Sequence, residues 1–231
     1  HALAWGVFWA GVAQFFWIAY ACHKADILFH LPRPRLTPGV RRLIVLMVPG
    51  IIGAGVVQIN LVIDVILAST LPEGSVSYLY YADRVNQLPL GVVGVAIGVV
   101  LLPLLTRQLR GGEAEAARDS QNRAIEFALM LSAPAAAALI VAPEAIVTVL
   151  FQRGEFDAAA TGATAAALRA FAVGLPAYVL IKSLTPGYFA RQDTRAPVKI
   201  AIVAVVVNII LALLLMPFLA HAGIALATAV A

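Results

Sequence analysis

The stretch Ser77-Tyr-Leu-Tyr-Tyr-Ala-Asp-Arg-Val-Asn-Gln-Leu-Pro-Leu-Gly-Val-Val-Gly-Val-Ala-Ile-Gly-Val-Val-Leu-Leu-Pro-Leu-Leu-Thr106 decides the fold. Its charges, Asp83 and Arg84, come early, and everything after Gln87 is uncharged and apolar. Crossing a hydrocarbon core about 30 Å thick takes roughly 20 predominantly apolar helical residues. The run has that length with residues to spare, so it reads as a transmembrane helix with polar first turns. Gly91, Gly94 and Gly98 fall on closely spaced turns. Gly94-Val-Ala-Ile-Gly98 is a small-xxx-small pattern that lets another backbone approach, and packing is the reading we give it.

Working outward, six more apolar stretches appear: Ala2–Cys22, Leu43–Ser69, Ile125–Phe151, Thr161–Ala190, Val198–Phe218 and a last one opening at Gly223. All but the last are long enough to span a bilayer, and several exceed it; a helix of about 27 residues is about 40 Å long and must tilt, kink or protrude. Composition agrees. Of the 231 residues 62% are hydrophobic and 12% charged, against about 25% charged in soluble domains, and mean hydropathy is +0.93. The expected fold is an all-α polytopic transmembrane bundle. The net charge of +4 reads as a record of membrane topology, with no nucleic-acid partner implied. A single cysteine, Cys22, excludes an intramolecular disulfide and a cysteine metal cluster. The chain opens at His1 inside apolar sequence, lacks a basic n-region and closes in another apolar run; it reads as an excerpt of a longer protein.

The loops alternate in charge. Residues 23–42 carry Lys24, Arg33, Arg35, Arg41 and Arg42, residues 107–123 carry Arg107, Arg110, Arg118 and Arg123, and residues 191–199 carry Arg191, Arg195 and Lys199. Twelve of the sixteen Lys and Arg residues thus lie on every second loop, and the positive-inside rule makes those loops cytoplasmic. Leu31-Pro-Arg-Pro-Arg-Leu-Thr-Pro-Gly39 cannot be a regular helix and reads as a stiff linker marking a lobe boundary near residue 38. Gly111-Gly112 reads as a helix stop, and Glu113-Ala-Glu-Ala-Ala-Arg118 as a short polar helix on the cytoplasmic surface. Pro49, Pro103, Pro134, Pro143, Pro176 and Pro186 interrupt spans; each is either a hinge for alternating access or ordinary membrane-helix shape.

Ionisable groups at membrane depth are costly, by at least roughly 2.5–3.5 kcal/mol on insertion scales, so each asks for a reason. Ser77, Tyr80 and Arg84 share one helical face, giving a stripe of hydroxyls plus a guanidinium. That fork of donors suits a phosphate group; alternatively Arg84 snorkels or pairs with Asp83. Asp64 must be protonated, bound to a cation or paired with a base. Asn208 on another span could add a neutral oxygen ligand for a hard monovalent cation or a proton site, while Lys182 is the ion-pair partner by depth. Arg169 is a further intramembrane charge.

Four blocks carry a resemblance: Ser75-Val-Ser-Tyr-Leu-Tyr-Tyr-Ala-Asp-Arg84 continuing to Leu102-Pro103, Pro186-Gly-Tyr-Phe-Ala-Arg-Gln-Asp-Thr-Arg-Ala-Pro-Val-Lys-Ile200, Phe151-Gln-Arg-Gly-Glu-Phe156 and His221-Ala-Gly223. Together they resemble the MurJ (MviN) family of lipid II flippases, within the multidrug/oligosaccharidyl-lipid/polysaccharide exporter superfamily. The resemblance implies fourteen transmembrane helices in two lobes. Residues 1–30 would be the last helix of the N-terminal lobe and 31–42 the cytoplasmic inter-lobe linker. Residues 43–231 would be a partial C-terminal lobe, helices 7 to 11 and the start of 12, its N-terminal lobe missing. It also implies a multi-pass protein of the bacterial inner membrane that serves peptidoglycan synthesis and acts on lipid II among membrane lipids.

By the same resemblance Arg84 is a cavity arginine that engages the diphosphate, and Ser77 and Asp83 are cavity positions. Gln87 stands where the family often has glutamate. Some members bind sodium; Asp64, Asn208 and Thr228 match its side-chain ligands and Ile224 a backbone-carbonyl position. Ala212 replaces a further aspartate. Na+ is the coupling ion this implies, with no other cofactor. The function implied is transport by alternating access, with no enzymatic step. Rival readings are a related exporter of another polyprenyl-linked glycan, an intramembrane enzyme acting on polyprenyl diphosphates, and a scaffold subunit without cargo. The enzyme would need a carboxylate or histidine cluster, and His1, His23, His30 and His221 are scattered.

Overall fold

The computed structural model describes Ala2–Lys24 and Pro38–Ala231. The proline-rich segment through Thr37 lies outside the described residues. Two compact units result, His1–Arg42 and Leu43–Ala231. In the first, α1 (Ala2–Lys24) is an apolar helix with exposed Trp5, Trp9, Phe15 and Trp17, the surface expected of a lipid-facing span.

The second unit holds α2 (Pro38–Ser69, whose first turn falls in the first unit), α3 (Ser75–Pro89), a π-helical segment (Leu90–Val95), α4 (Ala96–Arg110), α5 (Ala114–Val141), α6 (Pro143–Phe151), α7 (Ala158–Ala190) and α8 (Arg195–Val230). Five helical stretches among the described residues are long and apolar enough to cross a membrane: Trp5–Lys24, Ser75–Arg110, Ala114–Val141, Ala158–Ala190 and Arg195–Val230. Gly55–Ser69 in α2 is a shorter apolar helix.

Two boundaries differ from the sequence reading, and a third agrees with it. First, the polar segment Glu113–Arg118 is no separate helix; after the Gly111-Gly112 turn, with Gly112 at φ +79°, α5 runs on from Ala114 into the membrane stretch. Second, Ile125–Phe151 is not one span. Ala142 leaves helical geometry, and Pro143 opens α6 at the first helical position, where its missing N–H costs nothing. Third, α8 is two limbs rather than one rod, because Ala220 sits at φ 48°, ψ −131°. The second limb folds back so closely that a Cβ on Gly223 would lie 2.7 Å from the Leu215 carbonyl oxygen. The break restores the turn expected between Phe218 and Gly223.

Helix α7 is the hub. It packs against α3, α4, α5, α6 and α8, and its inward positions are largely small: Ala160, Ala165, Ala167, Ala172 and Gly174, with Leu168, Leu175 and Val179 filling between them. Small residues are what allow close helix approach where lipid supplies no hydrophobic drive. A Cβ on Gly174 would lie 2.5 Å from the Ala229 oxygen, so the second limb of α8 lies directly on α7. The expected glycine packing also holds: a Cβ on Gly94 would meet Lys182 Cγ at 3.2 Å, and one on Gly98 the Lys182 oxygen at 3.5 Å.

Side-chain contacts sort the turns into two ends. Gln108 donates to Ser120 Oγ at 3.0 Å, and Gln121 donates to the Ser183 carbonyl at 2.6 Å, which brings the 111–113 and 191–194 turns together. Opposite, His221 Nε2 lies 2.8 Å from the Ala163 oxygen and its ring 5.7 Å from that of Tyr78. Tyr81 meets Phe151 and Phe156 at 5.0 and 5.3 Å. Two of the arginine-rich turns, at 107–113 and 191–195, thus share one end of the unit, and the arginine-poor turns lie at the other, as the charge alternation expects for them.

Candidate functional site

Two polar constellations stand out within the second unit. The first is half-buried, with Asn208 and Ile224 its buried members. On α2, Asn60 lies one turn before Asp64, and its Nδ2 donates to Asp64 Oδ2 at 3.3 Å. On the first limb of α8, Asn208 is 2% exposed; its Nδ2 donates to Asn60 Oδ1 at 2.8 Å and to Asp64 Oδ1 at 3.1 Å. On the second limb, the Thr228 hydroxyl lies 3.4 Å from Asp64 Oδ2, 3.4 Å from Asn208 Oδ1 and 3.0 Å from the Ile224 carbonyl oxygen. Tyr178 on α7 donates its hydroxyl to the Thr228 carbonyl.

Asp64, Asn208, Thr228 and Ile224, named from the sequence, thus come together through the fold-back of α8. Asn60 and Tyr178 were not named. The missed signal for Asn60 is its spacing: four residues from Asp64, it lies on the same helical face. Tyr178 carries no such signal, because only the packing of α7 on Thr228 brings it near. Lys182, the partner expected by depth, lies instead along the Gly94–Gly98 face, and the side chains that reach Asp64 are neutral. Arg169 Nε donates to the Ile140 carbonyl at 3.2 Å, which caps the last turn of α5.

The second constellation is open. Ser77, Tyr80, Arg84 and Gln87 are all exposed and recur at helical spacing along one face of α3. The Arg84 guanidinium carbon lies 4.9 Å from the centre of the Tyr80 ring, a cation–π distance. Arg84 Nη1 donates to Gln87 Oε1 at 3.4 Å, and Gln87 Nε2 donates to Asp83 Oδ2 at 2.5 Å. Asp83 is half-buried. Gln87 uses both ends of its amide, donating to the carboxylate and accepting from the guanidinium. A glutamate here could accept from Arg84 but would repel Asp83. One long hydrogen bond to Gln87 and the face of the Tyr80 ring leave most of the Arg84 fork available to a ligand.

The family described as lipid II flippase MurJ matches residues 1–231. The chain belongs to the lipid II flippase MurJ family. It is 52% identical over 231 residues to a protein of Rhizobium meliloti (strain 1021) named "Probable lipid II flippase MurJ", covering 100% of this chain and 43% of that protein. Among solved structures it resembles "Lipid II flippase MurJ, inward closed conformation", with a TM-score of 0.73 at 27% identity over 87% of this chain and 43% of that one. An outward-facing multidrug transporter of the MATE family, in the MOP superfamily, shares the fold with a TM-score of 0.70 at 18% identity, over 80% of this chain and 40% of that one. The chain therefore spans less than half the length of the relatives it matches.

In this MurJ-family chain the motif blocks divide by purpose. Phe151 and Phe156 close an aromatic cluster on Tyr81, so two blocks are halves of one contact. In Arg191-Gln-Asp-Thr194, Gln192 turns the chain at φ 59° and Asp193 Oδ1 accepts from the Arg195 and Ala196 amides at 3.1 Å, capping α8. His221-Ala-Gly223 forms the fold-back. The α3 block also presents Arg84 outward, on a face shared with Ser77, Tyr80 and Gln87.

Proposed function

We propose that the complete protein containing this chain is a flippase of the bacterial plasma membrane. It moves the undecaprenyl-diphosphate-linked peptidoglycan precursor, lipid II, from the inner to the outer leaflet by alternating access. Residues 43–231 belong to its C-terminal lobe, residues 31–42 are the cytoplasmic inter-lobe linker, and residues 1–30 are the last helix of the N-terminal lobe. The observation that carries this reading is the exposed Arg84 guanidinium, steadied by Tyr80 and Gln87 on a face that also offers Ser77. Diphosphate presents several oxygens in a compact anionic group, which a guanidinium binds through paired N–H donors whose charge cannot be titrated away. Asp83 acts through Gln87, fixing where the guanidinium sits. The lipid tail stays in the bilayer and no bond is made or broken.

The Asp64 cluster is the coupling site in this reading, and its donors fit a hard monovalent cation. Asp64 supplies two carboxylate oxygens, and Asn208, Thr228 and Ile224 supply amide, hydroxyl and carbonyl oxygens from both limbs of α8. Hard cations take oxygen ligands of this kind. Bound Na+ would supply the positive charge that compensates Asp64 and ties α2 to the fold-back of α8.

Lipid II translocation by the full-length protein in liposomes, wild type against Arg84→Ala, tests the assignment. Loss of transport in a folded variant is the expected result. Wild-type transport that survives the substitution removes Arg84 from the substrate site. No wild-type transport under any ion gradient transfers the reading to exporters of other polyprenyl-linked glycans.

A further inference from the structure

We infer that Asn60 is a working member of the Asp64 cluster, completing its oxygen set and leaving it a single negative charge, so that it selects a monovalent over a divalent cation. This rests on the reading of the cluster as a cation site. The argument begins with the Asn208 amide, buried where α2 meets α8. Its Nδ2 faces two oxygens, Asn60 Oδ1 at 2.8 Å and Asp64 Oδ1 at 3.1 Å, and its Oδ1 faces the Thr228 hydroxyl at 3.4 Å. In this arrangement the cluster is closed by its own hydrogen bonds, and each Asp64 oxygen is matched by donors.

The two ends of an amide have nearly the same shape but opposite polarity. A half-turn of the Asn208 amide about its Cβ–Cγ bond puts Oδ1 where Nδ2 was. Three oxygens, from Asn60, Asp64 and Asn208, then converge with no proton between them, an arrangement that a bound cation stabilises. Meanwhile Nδ2 meets the Thr228 hydroxyl, which can accept from it while donating to the Ile224 carbonyl 3.0 Å away. The cluster therefore has two self-consistent states, one closed by hydrogen bonds and one lined by oxygens. Without Asn60 the second state loses one of its three converging oxygens, and the first loses the acceptor that holds Asn208 in place.

Charge sets the selectivity. Among the described residues Asp64 is the only ionisable member of the cluster, since Asn60, Asn208, Thr228 and the Ile224 carbonyl are neutral. A monovalent cation leaves the filled site neutral, whereas a divalent one leaves an uncompensated buried charge, which is costly.

Binding of radiolabelled sodium to the purified full-length protein, with unlabelled Na+ and Ca2+ as competitors, tests this without reference to transport. Wild type should bind sodium with little competition from Ca2+. Asn60→Ala should weaken sodium binding by about tenfold, as expected for one lost contact to a charged group. Asn60→Asp, which restores the side-chain volume and adds a carboxylate, should tighten binding and let Ca2+ compete. Asp64→Asn should abolish binding. If Asn60→Ala binds like wild type while Asp64→Asn does not, the role of Asn60 is overturned and the cation site stands. If Asn60→Ala does not fold, Asn60→Asp decides: unchanged affinity with no Ca2+ competition overturns the inference. Absence of sodium binding by wild type overturns the cation reading and this inference with it.

Discussion

The Asp64 cluster and the Arg84 stripe are two ways of keeping a charge at membrane depth. Asp64 is wrapped by Asn60, Asn208 and Thr228, neutral partners from two helices that satisfy both of its oxygens. Arg84 stands exposed on one helix, braced by its own neighbours Tyr80 and Gln87. The first arrangement depends on tertiary structure and disappears if α8 straightens. The second is local, and would persist on an isolated α3. A charge enclosed by the fold is suited to sensing which way the helices are packed, and a charge held locally is suited to meeting something that arrives from outside.

The strongest test sets the two charges against each other. Asp64→Leu leaves the Asn60 amide without its acceptor, while Asn208 and Thr228 each lose one and keep the Asn60 and Ile224 oxygens. An unsatisfied buried group costs about 1–3 kcal/mol, so a loss of about 2 kcal/mol is expected, read as a fall in the unfolding temperature of the purified protein. Arg84→Leu should leave that temperature close to wild type, as exposed substitutions usually do, while abolishing lipid II transport. Equal destabilisation by both would erase the distinction between an enclosed and a locally held charge.

A smaller effect is expected at Gln87. In Gln87→Glu the 2.5 Å donation to Asp83 becomes a contact between two carboxylates, and Arg84 gains a strong partner of its own. The guanidinium is then drawn down onto the helix and competes for its ligand, so lipid II transport should fall about tenfold with about 1 kcal/mol lost in stability. Transport equal to wild type would show that the amide does not orient Arg84.

The difference between the two regions also governs what the sequence could reveal. Spans and topology were legible because hydropathy and charge alternation are summed over many residues; the Arg107 and Arg191 turns do share one end. The Arg84 stripe was legible because helical spacing alone assembles Ser77, Tyr80 and Arg84. The cluster draws on residues up to 164 positions apart; Asp64 and Asn208 were named as polar groups at membrane depth, Thr228 and Ile224 only through a family resemblance, and Asn60, outside both, was passed over. Proline was a poor guide to breaks. Helices run through Pro103, Pro134, Pro176 and Pro186, whereas Pro89, part of a motif block but not read as a breaker, directly precedes the π-helical segment Leu90–Val95. Its missing N–H and the nearby Gly91 and Gly94 loosen the ladder there. Pro143 starts a helix instead of bending one, a distinction set by the non-helical geometry of Ala142.

The smallest effect probes how the enclosed cluster is joined to the hub. The Tyr178 hydroxyl donates to the carbonyl of Thr228, one turn of α7 beyond the place where Gly174 meets Ala229. It touches the backbone of a cluster residue and none of the cluster's oxygen-bearing side chains, which makes it a positioning residue. Tyr178→Phe keeps the ring and its packing and removes one hydrogen bond, with a net worth of about 0.7 kcal/mol, or about threefold in an equilibrium. The sodium concentration giving half-maximal binding should therefore rise about threefold, while sodium-saturated transport and the Arg84→Ala phenotype stay as they are. A merely structural role would lower stability at every sodium concentration alike. Positioning predicts instead that the stability difference between Tyr178→Phe and wild type widens as sodium is added, because the substitution disturbs the cluster most when its oxygens must converge.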